Sequence, residues 1–414
     1  MTLPRETLRL LVASVVALPL AAISGAHALS SASLRLAPEL AISVFPFNGL
    51  AAEKLAYATF ANRVKDALTG NAGQAADTPG GAQARPRQEF DGGASGLQAY
   101  ARSAVPAARA ALALEPLLPK AHAILAMSEP DPEQRRQIVA LASRLNRREL
   151  ALQGLVLQQK ANEGDYAGTI TTLDQILRVH PERQAEFFPL LVDALAQKET
   201  KQAFSNLLRD DLPWRDAFLG FAVNEPRTLD NLADIREEIS LDNLTFDRRL
   251  IVGLVAQGNL EKALAVYNLA SGPQQGNSAS SWKSDYPPFD WELADTAGLR
   301  AQADKSLSNL EFSIEPGNGG VLASRLIPAP GSPFQVRISH EVEPLSQTKD
   351  LQFRISCMGQ AKPFFEDTFS VGESVFQIRN RPDCPYLTIA IAGRAWTGSS
   401  ALNGKLGTLK ISPK

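Results

Sequence analysis

Two Ser-x-x-Lys matches, "SSWK" (Ser280–Lys283) and "SQTK" (Ser346–Lys349), are the nearest this chain comes to a nucleophilic serine site. That chemistry needs the serine to open a buried helix, with SDN and KTG companions. Both matches fall in linker or loop stretches, and neither companion follows. No phosphate-cradling GxxxxGK[ST], zinc-binding HExxH, GxSxG elbow, EF-hand loop or dinucleotide fingerprint occurs. The four histidines, His27, His122, His180 and His340, are scattered along the chain. Carboxylate pairs such as Glu237–Glu238 and Glu366–Asp367 are adjacent in sequence. Glycoside hydrolysis needs two carboxyl groups facing each other across a cleft. No catalytic, cofactor-binding or metal-ligating residue is therefore assigned, and the expectation is a protein without enzymatic activity or cofactor.

Residues suited to binding are easier to find. Trp396 lies in "GRAWTGSSALNGK", a run of Gly, Ser and Asn where little strand pattern holds a large ring inside. It is the candidate glycan contact, set against a core-capping role. "LPWRDAFLGFA" (residues 212–222) places Trp214, Phe218 and Phe221 at spacings of four and three, on one side of a helix. They fit either a packed core or a surface for a partner. Arg144, Arg147 and Arg148 in "SRLNRREL" form a local basic cluster, read as a solvated face or, at Arg147 and Arg148, as part of a partner surface.

The elements that must hold these residues divide the chain in two. From Leu97 to about Ala270, apolar residues recur at spacings of three and four, the period of amphipathic helices. "GDYAGTITTLDQILRVHP" (164–181) and "GNLEKALAVYNLASGP" (258–273) share a layout: a turn glycine, a helix, then a proline. "SAVPAARAALALEP" repeats its second half, with Ala104, Ala108, Ala111 and Pro116 in equivalent places. These offsets resemble the second helix of tetratricopeptide repeats. The resemblance is partial, since Gly164 and Gly258 are not separated by whole repeats and Thr169 stands where a small Ala is expected. An irregular helical-hairpin array over residues 30–271 is the expectation, with an ordinary bundle as the alternative. Residues 69–96, rich in Gly, Ala, Pro and Gln, read as a flexible insertion, and 272–284 as a linker.

After the linker the period becomes two. "LEFSI", "FQVRIS", "LQFRISC", "YLTIAIAG" and "LGTLKIS" each put apolar residues on one face. Short alternating strands punctuated by Gly and Pro predict an antiparallel, jelly-roll-like β-sandwich over 285–414. "FDWEL" reads as its first strand, with Phe289, Trp291 and Leu293 inward and Asp290 and Glu292 outward.

The remaining signals concern location. Arg5 and Arg9 precede an uncharged apolar run at 10–26, followed by the small-x-small sequence "AHA". Residues 1–28 read as a cleaved signal peptide or an uncleaved membrane anchor, and either exports the remainder. The two cysteines, Cys357 and Cys384, both lie in the sandwich. In an oxidising compartment they predict a disulfide, with buried free thiols as the alternative. Forty-two Lys and Arg against 44 Asp and Glu leave a formal charge of −2 without a basic stripe, so a nucleic-acid partner is not expected.

The stretches "SRLNRREL", "LPWRDAFLGFA", "FDWELADT" and "GGVLASRL", with the Cys357/Cys384 pair, resemble a group of uncharacterised alphaproteobacterial envelope proteins. The resemblance implies an N-terminal membrane segment, tetratricopeptide-like helices, a C-terminal β-domain and an envelope location. It implies no catalytic residue. The expected function is a periplasmic or envelope scaffold, its helices binding proteins and its sandwich a glycan or protein, beside surface-polysaccharide assembly or export. The alternative is an enzyme acting on envelope polysaccharide at an interdomain cleft.

Overall fold

The change of sequence period near residue 285 is a change of architecture. The computed structural model describes residues 5–34, 36–73, 94–272, 281–360, 362–380 and 382–413. Helices fill the first part and two antiparallel sheets the second, as the apolar spacings predict. By its internal contacts the chain forms two compact units, residues 1–184 and 185–414, so the later helices belong with the sandwich.

The first unit contains α1 (Arg5–Ser33), α2 (Pro38–Val44), α3 (Gly49–Gly73), α4 (Ala94–Leu114), α5 (Pro119–Ser128), α6 (Pro132–Leu145), α7 (Leu150–Asn162) and α8 (Tyr166–Val179). Among the described residues, no helix is long and apolar enough to cross a membrane. The side chains of residues 5–16, which open the expected leader helix, lie outside the described set. Of the expected flexible insertion, 69–73 and 94–96 are helical and the segment between lies outside the described residues. Helix α3 packs on α4 and α5, and α5 in turn on α6 and α7. Ala101, Ala104, Ala108 and Ala111 are fully buried there, and their small side chains let the helix axes approach. Glu53 accepts from the Lys120 and Ala121 amides at 2.7 and 3.2 Å, putting a buried carboxylate at the N-terminus of α5. Burial pushes its pKa up, and the two amide bonds oppose that shift.

The second unit opens with α9 (Gln184–Leu195), α10 (Lys201–Leu208), α11 (Arg215–Ala222), α12 (Leu229–Glu238), α13 (Leu244–Ala256) and α14 (Leu260–Ser271). Contacts again join next-but-one helices, α10 to α12, α12 to α14 and α11 to α13, as in stacked hairpins. Gly164 and Gly258, the two turn glycines of the repeated layout, both have positive φ (70° and 79°), which favours glycine between the paired helices. Phe188, Phe204, Trp214 and Phe218 form an aromatic cluster, with Phe204 and Phe218 stacked at 6.0 Å. Arg236 and Asp247 form a buried ion pair at 2.8 Å between α12 and α13.

The sandwich strands are β1 (Glu292–Leu293), β2 (Asp295–Thr296), β3 (Leu299–Ala303), β4 (Leu310–Ile314), β5 (Gly319–Pro328), β6 (Phe334–Glu343), β7 (Leu351–Cys357), β8 (Phe365–Thr368), β9 (Glu373–Ile378), β10 (Tyr386–Arg394) and β11 (Leu402–Pro413). One sheet has the order β1-β5-β10-β7-β8 and the other β2-β3-β4-β11-β6-β9. The residues expected inward, among them Leu310, Phe312, Ile314, Phe334, Val336, Phe353, Ile355, Ile389 and Ile391, form the shared core. Cys357 and Cys384 are disulfide-bonded. Leu387, the second residue of β10, is the register partner of Cys357, so the bridge closes the end of the β7–β10 pair.

"FDWEL" departs from its expected pairing. Only Glu292 and Leu293 are in strand, and the preceding residues form turns. Phe289 leaves the sandwich core and packs its ring 5.3 Å from Tyr267 of α14, while Trp291 enters that core and meets Trp282 at 4.6 Å. Asp290, expected outward, is buried. Its carboxylate is satisfied by the Tyr267 hydroxyl at 2.9 Å and the Tyr286 amide at 3.1 Å. The expected linker also ends earlier, because Trp282 is buried and its amide donates to the Leu307 carbonyl.

Candidate functional site: a cleft on the outer sheet face

Strand alternation in β10 carries past its end. Ile391, Gly393 and Ala395 face the core, which leaves Ala392, Arg394 and Trp396 on the opposite, outer face. Ala395 is fixed by two backbone bonds: its amide donates to the Asn318 carbonyl at 2.9 Å and its carbonyl accepts from the Gly317 amide at 2.8 Å. The neighbouring Trp396 therefore projects from anchored backbone. Its carbonyl accepts from the Ser399 amide and hydroxyl, closing the turn that follows.

Trp396 is 52% exposed, whereas Trp214, Trp282 and Trp291 are all buried. Its indole Nε1 donates to Asp350 Oδ1 at 3.3 Å. The Arg394 guanidinium carbon lies 4.1 Å from the ring centroid, a cation–π contact between residues two apart on one face. Ring and guanidinium thus hold each other in place.

These groups border a cleft of about 510 Å3. Its floor is low because small residues lie where the outer face of a sheet would ordinarily carry larger ones. Gly319 pairs with Arg394, and Ala392 with Gln352. A β-carbon at position 319 would lie 2.9 Å from the Gly393 carbonyl oxygen and 3.0 Å from the Arg394 Cβ and Cγ, so glycine leaves room for the arginine stem. Gln352 and Arg354 of β7 form one wall, with Lys349 and Asp350 of the preceding turn beside them. Arg354 donates to Gln352 and, at 3.2 Å, to Glu366 on β8. The arrangement supplies an exposed apolar ring, a small-residue floor and polar side chains in one concavity, which suits a ligand with both a C–H face and hydroxyl groups.

The other expected site residues are not brought to this place. Trp214 is fully buried against Phe188 and Phe218, so it belongs to the core and to no partner surface. Two aromatic rings, Phe188 and Phe218, pack against it, and burying the indole with them is more favourable than exposing it. Arg147 and Arg148 are exposed in the turn between α6 and α7. The Asn146 side chain accepts from the Arg148 and Glu149 amides, and His180 Nε2 lies 3.1 Å from the Arg148 carbonyl. His340 is buried beside Ser374 and Phe369, and His122 bonds the carbonyl of Leu118, the N-cap of its own helix. Among the described residues, no group of three or more His, Cys, Asp or Glu could hold a metal ion.

Sequence reasoning picked out Trp396 but missed the groups around it. Arg394 carried a signal, since a residue two before an outward ring shares its face. Asp350, 46 residues away in sequence, carried none.

No protein-family model matches the chain, and no curated protein matches it. Solved structures align with about a third of it. One is TmCBM61 in complex with β-1,4-galactotriose, at 13% identity and a TM-score of 0.23, covering 34% of this chain and all of that one. Another is the structure of accessory secretory protein 1, 2 and 3 in Streptococcus pneumoniae, at 8% identity and a TM-score of 0.22, covering 33% and 100%. At these scores neither bears on the function of this chain.

Proposed function

We propose that the protein is a non-enzymatic binding protein of the cell envelope whose C-terminal sandwich holds a saccharide in the cleft beside Trp396. The observation that carries this reading is the half-exposed indole, locked by Asp350 and Arg394 over a floor of Gly319 and Ala392. A pyranose presents a face of polarised C–H bonds that packs on an aromatic ring, while its hydroxyl groups need donors and acceptors at the edge. Gln352 and Arg354 supply them. The apolar leader behind Arg5 and Arg9 would direct export, and the Cys357–Cys384 bridge fits an oxidising compartment.

The test is a saccharide-array screen with the full chain, followed by calorimetric titration of each hit. The Trp396→Ala chain should lose roughly tenfold or more in affinity, as expected for removal of a central aromatic contact. Absence of any saccharide hit, or undiminished binding by Trp396→Ala, would remove this reading.

A second feature supports a protein-binding role for the helices. Leu244, Arg248, Arg249 and Val252 of α13 line a groove of about 640 Å3 with Val223 and Asn224 at the end of α11. Leu244 and Val252 are exposed, and among the described residues neither arginine has a carboxylate partner. The occupant that fits is an acidic amphipathic segment of a protein partner. A synthetic Glu/Leu amphipathic helix should bind the native chain and lose affinity in the Arg248→Glu/Arg249→Glu variant; equal binding to both would discard it.

A further inference from the structure

The charges around the cleft specify the saccharide more closely, on the footing that the cleft takes a saccharide at all. Three cationic side chains line it, Lys349, Arg354 and Arg394, against one carboxylate, Asp350. Arg354 is already engaged by Glu366 at 3.2 Å. Asp350 turns one oxygen towards the indole N–H. Lys349 and Arg394 have no carboxylate partner among the described residues, and Arg394 spends its π-face on Trp396, leaving its N–H groups unclaimed. The chain as a whole carries −2, so this positive surplus is local to the cleft.

We propose that the ligand is an acidic saccharide, a chain of pyranose rings bearing carboxylates, with one ring on the face of Trp396 that Arg394 leaves open and a carboxylate of the chain, beyond the indole edge, met by Arg394 and Lys349. A guanidinium offers a planar fork of N–H donors that matches a carboxylate in two parallel bonds. Arg394 is pre-ordered for that role, because stacking on the indole restricts its rotamers before any ligand arrives. A neutral sugar would leave both cations without an anionic partner. Lys349, as a compact charge on a flexible stem, adds attraction without fixing geometry.

The experiment titrates the full chain with a hexuronate tetrasaccharide and with the same tetrasaccharide after carboxyl reduction, at low and at raised salt. At low salt the acidic form should bind roughly tenfold more tightly, the size expected of rim-exposed charge pairs. Raising the salt should shrink that advantage. Lys349→Gln and Arg394→Gln should each reduce acidic binding several-fold, and each should cost the acidic form more than the neutral one. Equal affinity for the two forms, or preference for the neutral one, overturns the acidic assignment while the saccharide site stands. Binding of neither form, to a chain that also takes no other saccharide, overturns the site itself. Acidic binding that survives Trp396→Ala unchanged places the ligand elsewhere and overturns both.

Discussion

The Tyr267 hydroxyl donates to the Asp290 carboxylate at 2.9 Å, tying the last helix of the second unit to the segment that opens the sandwich. The other Asp290 oxygen accepts the Tyr286 amide, and the rings of Tyr286 and Phe289 pack on Tyr267. Burying a carboxylate is costly unless donors replace its water, so this junction depends on its polar partners. Tyr267→Phe keeps the packing and removes one donor. Urea unfolding should show a loss of about 1.5–3 kcal/mol, the range for a hydrogen bond to a charged group. A change within error would mean that solvent satisfies Asp290.

The disulfide makes a second stability prediction. Cys357 and Cys384 are separated by 27 residues, and the bridge spans the end of the β7–β10 pair. Closing a loop of that length stabilises by about 3 kcal/mol in the chain-entropy model. Reduction of the native chain and the Cys357→Ser/Cys384→Ser double variant should lower stability alike. A double variant as stable as the oxidised protein would show that β-pairing alone holds these strands.

How much of this was legible follows from what alternation can encode. A period of two states which side of a strand a residue occupies, and for Leu310, Phe353, Cys357 and Ile389 that sufficed to place them in the core. It cannot state what covers the other side. Asp290 occupied an outward position in the pattern, yet α14 supplies a hydroxyl there from 23 residues earlier. Phe289 likewise followed the ring it found on α14 rather than the strand pattern. Trp214 was ambiguous because helical spacing makes an aromatic stripe without saying whether another element lies over it. Trp396 was detectable for the opposite reason, since a loop of Gly, Ser and Asn offers no apolar neighbours to draw the ring inward.

His340 carries a pH dependence. It is 9% exposed, with Nε2 2.9 Å from the Ser374 hydroxyl and its ring edge-on to Phe369. Burial lowers its pKa below the ordinary 6.5, against a smaller upward pull from the Ser370 backbone. The unfolded chain therefore takes up this proton at higher pH than the folded one. The stability that the neutral ring contributes is complete above 6.5 and lost as pH falls through the lowered folded value. Glu53 and Asp247, whose pKa values burial raises, act in the opposite sense but are common to wild type and variant. Thermal unfolding from about pH 7.5 to 5 should fall more steeply for the native chain than for His340→Gln, which can still bond Ser374. Parallel curves would clear His340 of the effect.

In the proposed site Asp350 acts through Trp396 rather than on the ligand, and that role is separable from its charge. Asp350→Ala removes the acceptor of the indole N–H, so the ring must be ordered at the moment of binding. Asp350→Asn keeps the acceptor oxygen and removes only the charge. With a neutral saccharide the alanine variant should bind several-fold more weakly, the cost of immobilising one freed side chain, while the asparagine variant should match the native chain. Both should unfold within about 0.5 kcal/mol of it, because the site is at the surface. Trp396→Phe, which lacks the N–H, should weaken binding comparably, and adding Asp350→Ala to it should change little more, since the two share one interaction. Because the other three tryptophans are buried, acrylamide quenching reports on Trp396 and should rise in Asp350→Ala before ligand is added. Full affinity in Asp350→Ala would show that Arg394 alone holds the ring.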